Sequence, residues 1–297
     1  MPDDQTSMQD PTTQHPRPEQ PDRQLEHPGL ERDMRQRPDY GEDSYRGSGQ
    51  LEGRRALVTG GDSGIGRAVA LAFAREGADV VISHLPAEQT DADEAVAALR
   101  AAGRQALSVP GDITDAGHCH DVVARTVEAL GGLDILVNNA AFQMSHEGLE
   151  DLGEDEIEHT FRTNIIAMFH LCKAALEHLQ PGSAIINTAS EQAYKPSPEL
   201  LAYAATKAAI VNFTQNLGQQ LIERGIRVNA VAPGPVWTPL IPATMPAEKV
   251  ESFGEQAPIG RAAQPVELAP AYVFLASQES SYVNGEIIGA TGGAPLS

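Results

Sequence analysis

The chain has 297 residues, enough for one α/β domain plus a tail, and 41% of them are hydrophobic, enough for a sizeable core. Forty-one acidic against twenty-one basic side chains leave a net charge of −20, a field that repels phosphate backbones and argues against nucleic acid as a partner. No apolar stretch reaches membrane-spanning length, the polar start at Met1 does not read as a secretory signal, and two cysteines without a CxxC pattern fit a reduced, cytoplasmic protein.

Residues 1–50 hold eleven acidic and six basic side chains, are rich in Pro, Gln, Asp and Arg, and show no apolar periodicity. Such a segment buries too little surface to offset its ordering entropy, which predicts a flexible polar tail. Its end differs: Tyr40, Tyr45 and Arg46 fall within 38–49 and are anchor-type residues. That stretch is expected to dock in the assembled protein, whereas 1–30 lacks such anchors and is expected to stay mobile.

From Arg55 onward, short β-branched runs alternate with longer amphipathic stretches. The runs predict strands over 56–58, 79–83, 105–109, 135–138, 184–188, 227–231 and 286–289. Between them the 3.6-residue period predicts helices over 66–76, 91–102, 121–130, 154–179, 203–224 and 266–277. Strand–helix alternation of this kind predicts an α/β fold: one doubly wound domain over 51–297, a seven-stranded parallel sheet with helices on both faces. Ligands then sit beyond the carboxyl ends of the strands.

The first such end reads Thr59-Gly60-Gly61-Asp62-Ser63-Gly64-Ile65-Gly66. Gly60 permits a tight turn, Gly64 lets backbone approach a pyrophosphate, and Gly66 allows close helix–strand packing, with the helix N-terminus facing the phosphates. The segment resembles the TGxxxGxG signature of the short-chain dehydrogenase/reductase family, and the likeness runs from about Leu51 to Gly293. The acidic lead-in at 38–49 and the PGPVWTPLIP segment resemble a bacterial subgroup of that family. The subgroup includes general-stress proteins, glucose and ribitol dehydrogenase-like proteins and an NADP-dependent aldehyde reductase. The resemblance implies a Rossmann-type fold, NAD or NADP as cofactor, an alcohol or carbonyl as substrate, and a homotetramer.

Position along the chain then marks the cofactor contacts. They are Gly60, Asp62, Ser63, Gly64, Ile65 and Gly66 in the turn; His84 at the end of the second strand; and Asp112 and Ile113 after the third. The family uses an Asp at the place of Asp112 to meet the adenine amine; the residue alone also reads as a helix N-cap. Asn138-Asn139-Ala140-Ala141 resembles the family's NNAG, with Ala141 where the family has Gly, and marks Asn138 and Ala140. After the sixth strand, Pro233, Gly234, Val236 and Thr238 lie in a stretch that resembles the family's segment for the carboxamide and pyrophosphate, which implies contacts there. His84 stands where an NAD-specific member has an Asp, no carboxylate is expected there, and no Arg follows, so weak discrimination between NAD and NADP is expected.

Tyr203 and Lys207 are spaced i, i+4 on a predicted helix and share one face. Ser190 lies thirteen residues before Tyr203 at the end of the fifth strand, and Asn164 sits in the preceding helix. Together they match the family's Asn–Ser–Tyr–Lys tetrad. Moving a proton to or from a carbonyl oxygen near neutral pH requires a tyrosine below its free pKa of about 10. A Lys207 ammonium is expected to favour the tyrosinate and to bond the cofactor ribose, with Tyr203 also beside the cofactor. Ser190 is expected to hydrogen-bond the substrate oxygen. For Asn164 the resemblance implies a water that relays protons to Lys207.

Glu191, Tyr194 and Trp237 follow strands near these elements and are expected as substrate-pocket walls, with a substrate loop over about 237–262. His118-Cys119-His120 lacks a matching pair elsewhere, so no metal site is expected. Asp134 reads as a turn residue and Cys172 as core. A non-catalytic dinucleotide sensor on the same fold is the alternative function, although sensors are expected to lose the proton-transfer groups present here.

Overall fold

The computed structural model describes residues 5–16 and 24–297; the parts of the tail at 1–4 and 17–23 lie outside the described residues. The strands are β1 (Arg55–Thr59), β2 (Asp79–His84), β3 (Ala106–Pro110), β4 (Ile135–Asn138), β5 (Ala184–Thr188), β6 (Arg227–Pro233) and β7 (Ile287–Ala290). They form one sheet in the order β3-β2-β1-β4-β5-β6-β7, and every adjacent pair is parallel. The helices are α1 (Gly64–Arg75), α2 (Gln89–Ala101), α3 (Ala116–Leu130), α4 (Glu154–Phe161), α5 (Ala167–Ala175), α6 (Leu201–Leu221), α7 (Leu240–Thr244), α8 (Ala247–Glu251) and α9 (Pro265–Ala276). None of them is long and apolar enough to cross a membrane among the described residues.

α1, α2 and α9 cover one face of the sheet, and α3, α5 and α6 cover the other. Side chains alternate between the two cores: Ala56 and Val58 face the first, Leu57 the second. Because both faces are covered, the strands read as continuous apolar runs such as Val80-Val81-Ile82. Complete burial of a side chain such as Leu57 or Ile82 contributes about 2 kcal/mol each.

Most helix ends shift by one to three residues, and two of the expected helices differ by more. α3 starts earlier than 121 because Asp115 caps it, its carboxylate accepting from the Gly117 N–H at 2.8 Å. The helix expected over 154–179 is α4 and α5, joined by a π-turn at Arg162–Ile166 and ending at Ala175. Asp134 is more than a turn residue. Its two oxygens accept from Arg55 Nε and Nη2 at 2.8 Å each, a bidentate pair that ties the start of β1 to the turn before β4.

The tail differs most. Residues 24–50 lie packed on the domain, well before the stretch where docking was expected. Leu25 and Met34 are buried with Trp237, Ile241, Ala243, Val250 and Ala262. Glu31 is buried on α1, where its carboxylate pairs with Arg67 at 2.8 Å. Tyr40 and Tyr45 are buried, and their hydroxyls donate to Glu31 and Glu76. Residues 5–16 also touch the rest of the chain: Pro11 O accepts from Arg261 Nη2 at 2.7 Å, and Gln5 bonds Arg46. The physical reason is that two isolated apolar side chains and one glutamate find matching partners on the body, which composition alone does not reveal.

Candidate active site

The strand order reverses between β1 and β4, and a cleft of about 1070 Å³, counting its open mouth, lies at their carboxyl ends. The glycine turn forms one wall. A Cβ on Gly66 would lie 1.9 Å from Gly60 O, so turn and helix close on each other with no room for a side chain. Gly64, with φ +52, faces Thr238 across the cleft, where an added Cβ would come within 3.2 Å. Ser63 stands at the N-cap of α1 without a side-chain cap, which leaves helix N–H groups for an anion.

β4 is locked to this turn by Thr59 and Asn139. Thr59 Oγ1 accepts from the Asn139 and Ala140 N–H groups at 3.0 and 3.1 Å, and Asn139 Nδ2 donates to Thr59 O and Gly60 O at 3.1 Å each. Asn139 lines the cleft; Asn138 does not, being buried with its amide donating to Asn187 Oδ1 at 2.9 Å.

At the β2 end, the His84 ring is buried, with Nδ1 on Leu85 O at 2.8 Å and Nε2 without a partner. Burial holds its pKa below the usual histidine value. The expectation of no carboxylate here is corrected: Asp62 and Glu88 both line the cleft beside it. Burial and then the neighbouring Glu88 push the Asp62 carboxyl well above the usual range, and burial pushes Glu88 up to about 7. Asp62 Oδ2 has no partner. Asp112 and Ile113 line the same end; Asp112 makes an Asx turn to the Thr114 N–H at 2.8 Å, while the helix cap is Asp115.

Tyr203 and Lys207 lie in the first two turns of α6 and line the cleft with Thr188 from β5. Lys207 Nζ is buried, donates to Thr188 O at 2.8 Å and lies 5.2 Å from the Tyr203 ring centre. Ser190 caps the turn after β5, accepting from the Gln192 N–H at 3.1 Å, and its hydroxyl favours the ionised form of Tyr203. The expected acidification of Tyr203 is not what these residues produce by themselves. Burial raises the Tyr203 phenol to about 12 against the pull of Ser190, and burial lowers Lys207 to about 7. Desolvation disfavours the charged form of each.

Asn164 sits in the π-turn, a local irregularity frequent at functional sites. Its Oδ1 accepts from the Phe142 N–H at 2.8 Å, and its Nδ2 donates to Phe142 O at 2.8 Å and Thr206 Oγ1 at 3.0 Å. The side chain is a clamp on the segment after β4 and on α6.

Other expected positions lie elsewhere. Trp237 is 1% exposed, its Nε1 donates to Gln36 O at 3.0 Å, and it anchors the N-terminal segment instead of lining the cleft. Pro233, Gly234 and Val236 do not line the cleft; Val236 packs in the core and pairs with Ala263. Tyr194 is exposed, and Glu191 acts on Tyr203 only through its charge, which adds to the raised phenol pKa. Phe142, expected at the start of a pocket-building loop, does line the cleft, and the missed lining residues include Asn139, His159 and Glu88. Asn139 was adjacent to marked residues; the others sit in loops and helices whose periodicity carries no trace of the cleft. Cys119 is buried and bonds Ile113 O, and among the described residues no His, Cys, Asp and Glu group has a metal-holding arrangement.

A family model described as enoyl-(acyl carrier protein) reductase matches residues 60–294. An oxidoreductase of Bacillus subtilis, YhxD, is 53% identical over 93% of this chain and 93% of its own. The chloroplastic NADPH-dependent aldehyde reductase 1 of Arabidopsis thaliana is 46% identical, over 90% of this chain and 95% of its own. The crystal structure of a short-chain dehydrogenase from Burkholderia cenocepacia in complex with NADP superposes with a TM-score of 0.77 at 36% identity, over 82% of this chain and 98% of that one. With the glycine turn closing on α1 and tyrosine and lysine paired at the cleft floor, this chain belongs to the short-chain dehydrogenase/reductase family of NAD(P)-dependent oxidoreductases.

Proposed function

We propose that the protein reduces an aldehyde or ketone to an alcohol with Tyr203 as the proton donor. The observation that carries this reading is the Tyr203 hydroxyl, kept protonated by burial and one helical turn before Lys207, at the floor of a cleft whose wall is the glycine turn. The cleft fits a dinucleotide. The turn admits no side chain at Gly66, α1 presents an uncapped N-terminus, and the buried His84 Nε2 and Asp62 Oδ2 lack partners inside the protein. Gly60, Ser63, Gly64, Ile65, His84, Asp112, Ala140 and Thr238 would hold the group. A bound nicotinamide supplies the hydride.

The chain's own residues do the rest. Ser190 orients the Tyr203 hydroxyl and shares the substrate oxygen. Tyr203 gives its proton to that oxygen as charge develops. Lys207, half-charged near pH 7 and one helical turn beyond Tyr203, returns a proton toward it and bonds the ribose. Asn164 keeps Phe142 and Thr206 in register beside them. The reverse oxidation requires a tyrosinate and is expected to accelerate with rising pH.

Both NADPH and NADH are expected to serve, because burial raises the Asp62 carboxyl and brings Glu88 to about 7, which weakens the charge they turn toward a 2′-phosphate. A homotetramer belongs to the same proposal, supported by the exposed Ile166 and Phe169 beside the Phe169–Phe213 ring contact on α5 and α6. So does a cytoplasmic location, supported by two buried free thiols. The test is loss of the reduced-nicotinamide absorbance with a panel of aldehydes, ketones, sugars and an enoyl thioester, using each cofactor. Turnover of at least one carbonyl compound is expected. Tight cofactor binding with no carbonyl reduced would leave the sensor reading; reduction of the enoyl thioester alone would replace carbonyl by carbon–carbon double-bond chemistry.

A further inference from the structure

The N-terminal segment does more than pack on the fold; part of it crosses the mouth of the cleft. Leu25 N–H donates to Pro242 O at 2.9 Å, and the Leu25 side chain is buried with Trp237, Ile241 and Ala243. Gly29 lies flush on the same wall: with φ +87, an added Cβ would come within 2.8 Å of Pro239 O and 2.9 Å of Ala243 Cβ. Between these two anchors, His27 and Pro28 line the cleft itself. The His27 ring meets Phe142 edge to face, with centroids 5.0 Å apart at 67°, and Phe142 meets His159 in turn at 4.6 Å and 81°. Phe142 belongs to the opposite wall, where Asn164 clamps its backbone. Two residues beyond Gly29 the segment is anchored again, with Glu31 N–H donating to Asp91 Oδ2 at 2.9 Å and the Glu31 carboxylate on Arg67.

We propose that His27 is a residue of the dinucleotide site, carried by residues 25–30 across the cleft mouth so that its ring, edge to face with Phe142, holds bound cofactor in place. The inference rests on the reading of this cleft as a nicotinamide dinucleotide site. Its backbone belongs to one wall and its ring to the other, so a ligand lying between them leaves only after the His27–Phe142 contact opens. A contact of that kind acts on release more than on entry, since affinity differences between related complexes reside mostly in dissociation rates. Because His27 itself is exposed at the mouth, truncating it removes little of the domain's core.

The test is the release of NADPH and of NADH from the full chain, followed by reduced-nicotinamide fluorescence in a stopped-flow displacement. Wild type is compared with His27→Ala and His27→Phe, and the cofactor-free proteins are melted in parallel. Release from His27→Ala is expected to be about tenfold faster than from wild type, with association changed less than about threefold. His27→Phe keeps an edge-to-face partner for Phe142 and is expected to restore slow release. Release from His27→Ala within about twofold of wild type, or faster entry with unchanged release, overturns the inference. Equal release from the Phe and Ala variants also overturns it. If His27→Ala melts early, hydrogen exchange at 24–30 of wild type decides: protection that rises on saturation with NADPH supports the inference, and unchanged exchange overturns it. Failure of wild type to bind either dinucleotide would instead defeat the functional reading itself, and this inference with it.

Discussion

Arg67 and Lys207 are both nearly excluded from solvent, one beneath the N-terminal segment and the other at the floor of the cleft, yet their surroundings differ in kind. Arg67 is pulled down by burial, but Glu31, Tyr40 and Glu42 more than compensate, and it stays above the usual arginine value. Its guanidinium meets Glu31 at 2.8 Å and Glu42 at 2.9 Å and lies over the Tyr40 ring at 4.7 Å. Lys207 has a single acceptor, the neutral carbonyl of Thr188, and burial alone brings it to about 7. A charge that is paired remains a charge and serves as a fastener. A charge that is desolvated without a counterion becomes labile near neutral pH, which is what proton transfer requires. The first arrangement holds the tail on the domain; the second prepares Tyr203 and Lys207 for chemistry.

Four substitutions break or sharpen this contrast. Tyr203→Phe removes only the transferable proton, so kcat is expected to fall about a thousandfold. Dinucleotide titration should find affinity within about threefold of wild type, and retained turnover would refute the assignment. Arg67→Met leaves Glu31 buried without its partner, and urea unfolding is expected to show a loss of about 3 kcal/mol. Limited proteolysis across 24–50 should accelerate with it, while kcat at permissive temperature stays near wild type. A selective loss of kcat would erase the distinction between fastener and catalyst.

Lys207→Met tests the other side. The folded pKa of about 7 lies below the usual 10.5, so the folded state binds fewer protons than the unfolded chain between those values. Stability linked to Lys207 is therefore fully present above pH 10.5, declines across that window and is lost as pH falls through about 7. Lys207→Met is expected to flatten that slope and to melt higher than wild type below pH 7, while turnover collapses. A variant that melts lower at every pH would mean that the lysine is a net structural contributor. The smallest effect is expected of Trp237→Phe, which loses the Nε1 bond to Gln36 O and about 1 kcal/mol of stability. Unchanged kcat/KM would separate its place under the N-terminal segment from the substrate wall expected of it.

What the sequence by itself determined is local. The strand–helix alternation, the glycine turn between a buried strand and a helix, and the i, i+4 spacing of Tyr203 and Lys207 are periodic or contiguous, and each follows from backbone geometry within a few residues. The parallel sense of the sheet follows from the same alternation, whereas the strand order with its reversal between β1 and β4 is a property of the tertiary structure. Only the tertiary structure decided where side chains distant in sequence meet. Trp237 donates to Gln36 O 201 positions away, Glu31 meets Arg67 from 36 positions away, and His27 reaches Phe142 across the cleft. It also brought half-buried Glu88 into the same cleft as Asp62, whose surface-type carboxylate is fully buried there. The N-terminal segment shows why composition misleads: Leu25, Met34, Tyr40 and Tyr45 are too sparse to form a core among themselves. They are buried because the finished domain already offers a surface, so the ordering entropy of a polar chain is offset by contacts that exist only after the rest has folded.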